Sequence, residues 1–376
     1  MSSSPVQSSE LLARLSFVTA RKFSPLGLKN VLQRFGSFDA ALGASKDALA
    51  NIPKVSRDAP QALAEVIRDG THKRELEACE KHGVRLLMLG HDGYPQPLAG
   101  IEDPPILLYL RGDLRREDAL AIAIVGSRSS THYGNSQAAR FARDFAVRGI
   151  TVVSGMARGV DTAAHKAALE AKGRTIAMIG SGLLDIYPPE NKRLADEIAA
   201  SGAIVSEFPL ETPGVARNFP QRNRLISGMS LGVLVAEADV KSGSLITARL
   251  ALEQAREVFA IPGKVDNETS RGCHALIKEG AHLVEEPIDI YGVLEPTKKL
   301  LAEQPQDDGK KKSPPGLSTT EAALYPLLAP SDALSIDDLI DKSGLPAAQV
   351  TSGLMTLELK RLAKSLPGKL YVRLDA

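Results

Sequence analysis

From about residue 119 onward, short apolar runs alternate with amphipathic stretches, and this alternation restricts the possible folds more than any other feature of the sequence. The runs are rich in β-branched residues, as strands are, and the stretches between them have the three- and four-residue spacing of a buried helix face. Strand, helix and strand repeated at this spacing produce right-handed crossovers and a parallel sheet covered by helices on both faces. The sequence therefore predicts a doubly wound α/β domain.

The segments before this domain have different patterns. Residues 1–90 contain short amphipathic stretches interrupted by Ser, Pro and Gly, which predicts a small all-α domain. The apolar runs VRLLMLG and PPILLYLRG flank a Pro-rich connection and predict two edge strands. We set the α/β domain at residues 91–295, with residues 91–118 as its entrance.

The segments after the α/β domain also change in character. Residues 296–317 combine charge, Pro and Gly without an apolar period, which predicts a flexible linker. Residues 318–376 predict three helices and then a hairpin that turns at Pro367 and Gly368. Three helices followed by a hairpin are typical of a winged-helix domain.

Composition excludes several classes of protein. Lys and Arg number 46 against 45 Asp and Glu, a net charge of +1, so a site for a polyanion has to be a local basic patch. Two cysteines, Cys79 and Cys273, are too few for a disulfide framework or a Cys-based zinc site. No apolar run reaches the roughly 18 residues of a membrane span. We therefore expect a soluble, cytoplasmic protein.

Almost every predicted strand ends in Gly or Ser, and the first such end carries IVGSRSSTHYG at residues 124–134. Arg128 stands where a dinucleotide-binding turn needs its second glycine, which disfavours a bound NAD cofactor. Gly126 and Ser127 still direct backbone N–H groups toward the strand end, and the planar Arg128 guanidinium suits a phosphate. The alternative is that Arg128 caps a helix or pairs with a surface acid.

The second strand end carries SGMARGVDTAAH, in which Ser154, Gly155 and Arg158 precede a helix. Asp161 and His165 lie four residues apart on that helix. They form either an acid/base or metal pair or, as we favour, a helix-stabilising contact, since no third ligand is near. No GK[ST] follows the glycines, so the segment is not a nucleotide-hydrolysing P-loop.

The most informative segment is TPGVARNFPQRNRLISG, residues 212–228. Guanidinium groups that hold phosphates, beside an aromatic ring on which a base stacks, are the requirements for binding single-stranded nucleic acid. The alternative is that the ring belongs to the core and the arginines form a solvated face. The residues concerned are Arg217, Phe219, Arg222, Asn223 and Arg224.

The last strand-end motif is the run Lys241, Ser242, Gly243 and Ser244, which precedes a helix. Backbone N–H groups, two hydroxyls and an ammonium group converge there, as in an anion site. An ordinary helix start with an incidental lysine explains the run alone equally well. Its position near the other three strand ends favours the anion site.

These motifs, in this order and spacing, are similar to those of the DNA processing protein A (DprA, or Smf) family. The matching segments are GSRSSTHYG, SGMARGVDTAAH, NFPQRNRLISG, KSGSLITARLALEQAREVFAIPG and GCHALIKEGAHLV. The resemblance implies a Rossmann-like core between a SAM-like or helix-hairpin-helix-like domain and a winged-helix domain. It implies a non-enzymatic protein that binds and protects single-stranded DNA and helps to load the RecA recombinase during natural transformation and recombination. It also implies a homodimer formed through the α/β domain.

The resemblance also assigns binding roles to particular residues. The family's pocket uses the arginine of a Gly-x-Arg turn, a basic residue shortly before a phenylalanine, that phenylalanine and the Arg-Asn-Arg after it. The loop at Lys241 and residues 154–158 are implied to line the same strand ends, with Gly126 and Gly243 giving phosphates access. The residues that match the pocket are Arg128, Arg217, Phe219, Arg222, Asn223 and Arg224.

Two other interpretations remain open at this point. Nucleotide phosphoribohydrolases share a Rossmann-like core, but their PGGxGTxxE motif, with its reacting glutamate, is replaced here by KSGSLITARLALE. An adaptor that acts only through its end domains predicts no DNA binding by the core. The candidate recognition helix of the winged-helix domain, residues 346–363, has no Lys or Arg in its first half, so we expect weak duplex recognition.

Overall fold

The computed structural model describes residues 5–301, 316–329 and 333–374. The first six helices form the predicted all-α region, and serine hydroxyls cap the starts of the second, third and fourth. Phe17 and Phe38 of this region belong to one apolar cluster with Tyr109 and Ile204 of the sheet. The six helices are α1 (Pro5–Thr19), α2 (Pro25–Phe35), α3 (Phe38–Leu42), α4 (Lys46–Ala50), α5 (Ala59–Asp69) and α6 (Thr71–Lys81).

The central element is a nine-stranded sheet with the strand order β1-β2-β6-β5-β4-β3-β7-β8-β9. Residues in its middle strands are almost all buried, as expected where helices cover both faces. The strands are β1 (Arg85–Met88), β2 (Leu107–Gly112), β3 (Ala121–Val125), β4 (Thr151–Ser154), β5 (Thr175–Met178), β6 (Ala203–Ser206), β7 (Gly232–Val235), β8 (Glu257–Ala260) and β9 (His282–Leu283).

The pairing of β3 determines where a ligand site can lie. β3 pairs in parallel with β4 on one side and with β7 on the other, so the strand order reverses there. Doubly wound folds bind ligands in the crevice outside the carboxyl ends of the strands at such a switch point. β1 and β2 are antiparallel additions at the opposite edge from β9. Both predicted strands form, but only β1 is an edge strand, because β2 also pairs with β6.

Helices cover both faces of the sheet, as predicted. One face packs against the helices that follow β3 and β4, through Ile122 and Ile124. The other face packs against the helices that precede and follow β7, through Ala123 and Val125. The helices of this domain are α7 (Gln96–Ala99), α8 (His132–Val147), α9 (Val160–Glu170), α10 (Lys192–Ser201), α11 (Asn218–Gly228), α12 (Ser244–Glu253), α13 (Arg271–Lys278) and α14 (Pro287–Val293).

The C-terminal residues form the predicted winged-helix arrangement with a separate core that includes Leu324, Leu339 and Leu354. The strand order of its small sheet is β10-β12-β11, and the hairpin turns at the predicted Pro-Gly pair. Ser335 and Asp338 form a capping box at the start of its second helix. Its elements are α15 (Thr319–Leu324), β10 (Leu334–Ser335), α16 (Ile336–Ser343), α17 (Ala347–Leu359), β11 (Ala363–Leu366) and β12 (Leu370–Arg373).

Two predicted domain limits need comment. Arg85 of β1 pairs with Leu110 of β2, so the sheet begins before residue 91, and we propose that the helical domain ends with α6. Of the predicted linker, residues 302–315 lie outside the described residues, and residues 295–301 form a 3-10 helix. Among the residues that the structure describes, no helix is both long enough and apolar enough to span a bilayer.

Candidate nucleic-acid interface

A cavity of about 400 Å3 lies at the carboxyl ends of β3 and β7, bounded by the amino ends of α9, α11 and α12. This is the crevice at the switch point of the sheet. Three of the four strand-end motifs supply predicted residues to its lining. These residues are Gly126, Ser127, Arg128, Phe219, Arg222, Asn223, Ser242, Gly243 and Ser244.

Arg128 and Phe219 form the centre of the cavity wall. The guanidinium carbon of Arg128 lies 4.7 Å from the ring centroid of Phe219, within the range of a cation–π contact. Arg128 is exposed, whereas Phe219 is half-buried and lines the cavity, so its ring is neither sealed in the core nor on a fully exposed face. A cation and an aromatic ring are therefore presented to the same space.

Two residues that sequence reasoning missed hold the Phe219 ring in place. The ring centroid of Tyr187, in the loop after β5, lies 5.5 Å from that of Phe219 with the planes 38° apart. A Cβ atom at Gly180 would lie 2.8 Å from Cδ1 of Phe219, so the glycine makes room for the ring. An aromatic in a Pro-rich loop and a glycine after a strand were the available signals.

Arg222 lines the cavity and is also hydrogen-bonded to the protein backbone. Its guanidinium is buried and donates to the carbonyls of Gly155 and Met178, at the ends of β4 and β5. Burial lowers the pKa of Arg222 to about 10, against the opposing effect of Asp161, so it stays charged at neutral pH. Arg222 joins two strand ends near the Phe219 ring, 5.9 Å from its centroid, and these contacts favour a structural role over the predicted grip on a phosphate.

Asp161 and His165, expected to contact each other, form their hydrogen bonds with other groups. The Asp161 carboxylate accepts N–H bonds from Gly155 at 3.1 Å and Ala157 at 3.3 Å, and its burial raises its pKa despite nearby Arg222. Nδ1 of His165 lies 2.7 Å from the Thr175 hydroxyl, and burial lowers the pKa of His165 to about 3. Both side chains support the fold, and no possible metal cluster occurs among the described residues.

The loop before α12 supplies hydroxyl groups to the cavity. The Ser242 and Ser244 hydroxyl oxygens lie 2.8 Å apart, and both residues line the cavity. Asp239 also lines the cavity, and its carboxylate accepts a hydrogen bond from the backbone N–H of Lys241 at 2.6 Å. Lys241 is exposed but does not line the cavity. A side chain at Gly243 would meet nothing within 4 Å, so protein packing alone does not require that glycine.

Asn223 links this loop to α11. Its Nδ2 lies 3.4 Å from the Gly243 carbonyl, and its Oδ1 accepts from Nε of Arg222 at 3.3 Å. The Lys241–Ser244 loop and helix α11, which carries Phe219, are therefore joined through one amide side chain.

The remaining residues of the first two motifs lie around the cavity and contact other parts of the protein. Ser154 is buried and donates to the Ile124 carbonyl at 2.6 Å, behind the cavity. A Cβ at Gly126 would lie 2.6 Å from Cγ2 of Val160, so this glycine lets α9 pack closely. Arg158 is exposed, pairs with Glu190 at 3.1 Å, and borders a small cleft beside Phe219.

Two predicted arginines lie outside the cavity. Arg224 is buried and pairs with Glu207 and, at 3.3 Å, with Asp103. The phosphate contact of Arg224 stays a prediction that these ion pairs disfavour, because both partners neutralise the cation away from the cavity. Arg217 is exposed and lines a separate groove with residues of the helical domain.

Comparison with family models places the whole core in one family. The model described as DNA recombination-mediator protein A matches residues 85–295, and the DprA winged helix domain matches residues 308–369. Protein Smf of Escherichia coli is 41% identical over 296 residues, covering 78% of this chain and 79% of Smf. DNA processing protein DprA of Streptococcus pneumoniae is 45% identical over 205 residues, covering 54% of this chain and 72% of that protein.

Solved structures agree with these matches. The crystal structure of DprA from Streptococcus pneumoniae aligns with a TM-score of 0.66 and 34% identity, over 76% of this chain and 98% of that one. DNA processing protein A of Helicobacter pylori, studied for its single-stranded DNA binding mode, aligns with a TM-score of 0.51 and 31% identity, over 59% and 97%. From the two family models, the homologues and the shared fold, we conclude that this chain belongs to the DprA (Smf) family.

Proposed function

We propose that this protein binds single-stranded DNA in the Arg128–Phe219 cavity. The main support is that the exposed Arg128 guanidinium lies against the half-buried Phe219 ring in an open crevice. Among the described residues, no carboxylate lies at ion-pair distance from Arg128. Two hydroxyls lie at the same cavity, on the loop that starts α12. A cation suits a phosphate and a ring suits an unpaired base, which are the two requirements for single-strand binding.

We further propose that the interaction is binding without catalysis. The acids at the cavity are engaged: Asp161 accepts two backbone amides, and Asp239 accepts the Lys241 N–H. The segment KSGSLITARLALE also lacks the glutamate spacing of the phosphoribohydrolases. Release of free base from nucleoside monophosphates would contradict this proposal.

We expect tighter binding to a single-stranded oligonucleotide than to its duplex, because stacked and paired bases hide the faces that Phe219 contacts. Each phosphate neutralised on a single strand lowers the logarithm of affinity by about 0.7 per tenfold rise in salt. Filter binding of the full chain to both forms at two salt concentrations measures the preference and the slope. Equal affinity for the two forms would exclude a cavity that reads unpaired bases.

From family membership we extend the proposal to protection of incoming DNA and RecA loading in natural transformation, and to a homodimer formed through the α/β core. Two cavities in a dimer add avidity on one strand. Faster RecA assembly on single-stranded DNA in the presence of this chain would support loading, and no acceleration would contradict it. Sedimentation of the chain tests the dimer.

The winged-helix domain is expected to bind duplex DNA weakly. The exposed face of α17 carries Thr351, Ser352 and Met355, and no Lys or Arg occurs in the first half of the helix. Without cations on the helix that enters a major groove, little counterion release drives binding. Gel shifts of residues 318–376 with duplex DNA should show no complex at micromolar protein, and Met355→Lys should increase binding. A tight complex of the unaltered domain would contradict this expectation.

A further inference from the structure

A second groove, of about 600 Å3, separates the helical domain from the α/β core. The connection between α1 and α2 forms one wall, through Arg21, Lys22 and Phe23. The segment after β6 and the amino end of α11 form the other, through Phe208 and Arg217. The groove is large enough to hold a small ligand or a nucleotide.

The groove adjoins the Arg128–Phe219 cavity, and the residues at the start of α11 lie between the two spaces. Ala216 and Phe219 line the cavity, whereas Arg217 and Asn218, between them in sequence, line the groove. Asn218 is buried and donates to the Gly180 carbonyl at 3.1 Å, which fixes this turn against the end of β5. One turn of backbone is therefore the shared wall of both spaces.

The groove brings two like charges together without neutralising them. Arg21 and Arg217 are both exposed, and neither has a carboxylate at ion-pair distance among the described residues. Burial, and then the charge of Arg217, lower the pKa of Arg21. Two guanidiniums facing one groove repel each other unless an anion lies between them.

The other charged groups of the groove are already paired. Lys22 forms an ion pair with Asp58 at 2.7 Å. The Glu207 carboxylate is engaged by the buried Arg224. The uncompensated charge of the groove is therefore positive and comes from Arg21 and Arg217, one from each domain.

We propose, on the basis of the proposed function, that single-stranded DNA leaving the Arg128–Phe219 cavity crosses the first turn of α11 and continues through this groove. Arg21 and Arg217 hold its phosphates from opposite walls. Half-buried Phe23, whose ring lies 5.0 Å from that of Phe17, gives an apolar surface for a base. The helical domain is thus part of the DNA-binding surface.

The test is affinity as a function of oligonucleotide length. Full-length protein and its Arg21→Gln variant are titrated with thymidine oligomers from roughly 4 to 16 nucleotides, a range typical of single-strand sites. We expect Arg21→Gln to bind the shortest oligomers within about twofold of the unaltered protein and the longest about fivefold more weakly. The salt slope for the longest should fall by about 0.7.

Two further variants make the result specific. Arg116→Gln removes an exposed arginine just before the amino end of β3, whereas the cavity lies at the carboxyl end of that strand, and it should have no length-dependent effect. Arg21→Lys keeps the charge and should restore the salt slope. The inference is overturned if Arg21→Gln matches Arg116→Gln at every length, or if it weakens all lengths equally. Failure of the unaltered protein to bind any oligomer would instead remove the proposed function itself.

Discussion

Arg128→Ala is expected to weaken single-stranded DNA binding by about tenfold to a hundredfold, the range for loss of a hydrogen bond to a charged group. Arg128 is exposed and unpaired with any described carboxylate, so DNA does not have to displace a competing acid. Its guanidinium is held against the Phe219 ring, which reduces the conformational entropy lost on binding. The salt slope of affinity should fall by about 0.7, since one phosphate contact is lost.

Three variants separate the charge from the ring and from overall charge. Arg116→Ala removes a distant exposed arginine and should leave affinity nearly unchanged. Arg128→Lys retains the charge, so its salt slope should be normal, but it loses the planar stacking and should bind somewhat more weakly. Phe219→Leu removes the ring and should reduce affinity without changing the slope. An unaltered slope for Arg128→Ala would rule out its phosphate contact.

The fold could be predicted from the sequence because it follows from local patterns. The strands AIAIV and GVLV are apolar on both sides, and each is joined to its neighbours by a helix of ordinary length. Right-handed crossovers then leave few topologies. The start of the sheet was less certain, because β1 reads RLLM, is partly exposed, and is defined only by its pairing with β2.

The two arginines of α11 have surroundings that the sequence analysis did not distinguish. The helix begins at Asn218, so Phe219 and the Arg-Asn-Arg run share one helical segment. At about 100° per residue, Arg222 and Asn223 fall on the same side of the helix as Phe219, whereas Arg224 falls about 140° away. Arg224 therefore points into a buried acidic pocket, and Arg222 lies close enough to the strand ends to donate to their carbonyls. Applying helical periodicity from Asn218 onward would have placed Arg222 and Arg224 on different sides of the helix.

Other contributions needed the tertiary structure. Gly180 and Tyr187 follow β5, which carried none of the four motifs, yet both contact the Phe219 ring. Arg21 lies in the helical domain, far in sequence from Arg217, and no local pattern connects them. Contacts between residues distant in the chain leave no signal in a single sequence.

Arg224→Met is expected to lower the free energy of unfolding by about 3–5 kcal/mol at neutral pH, the cost of breaking a buried ion pair. The side chains of Arg224 and Glu207 are 5% and 7% exposed, so the carboxylate left behind has little access to water. Asp103 also loses its cation, at present 3.3 Å from Nε of Arg224. Urea unfolding of the full chain, monitored through the unfolding transition of the α/β core, measures this loss of stability.

The loss should depend on pH in a direction that the structure sets. Burial raises the pKa of Glu207, whereas Arg224 opposes this rise, so removing Arg224 raises that pKa further. An acid whose folded pKa lies above its unfolded value favours folding below the unfolded pKa, and this advantage disappears as pH rises through the folded pKa. The difference between Arg224→Met and the unaltered protein should therefore be larger at pH 8 than at pH 5.

Glu207→Gln in the Arg224→Met background supplies the decisive comparison, because it removes the charge that Arg224 neutralises while keeping the shape of the side chain. This double variant should recover much of the lost stability and show little pH dependence from this site. At temperatures where it is folded, Arg224→Met should bind single-stranded DNA with the unaltered salt slope, since Arg224 lies outside the cavity. A loss below about 1 kcal/mol, or a slope reduced as in Arg128→Ala, would return Arg224 to the DNA-binding surface.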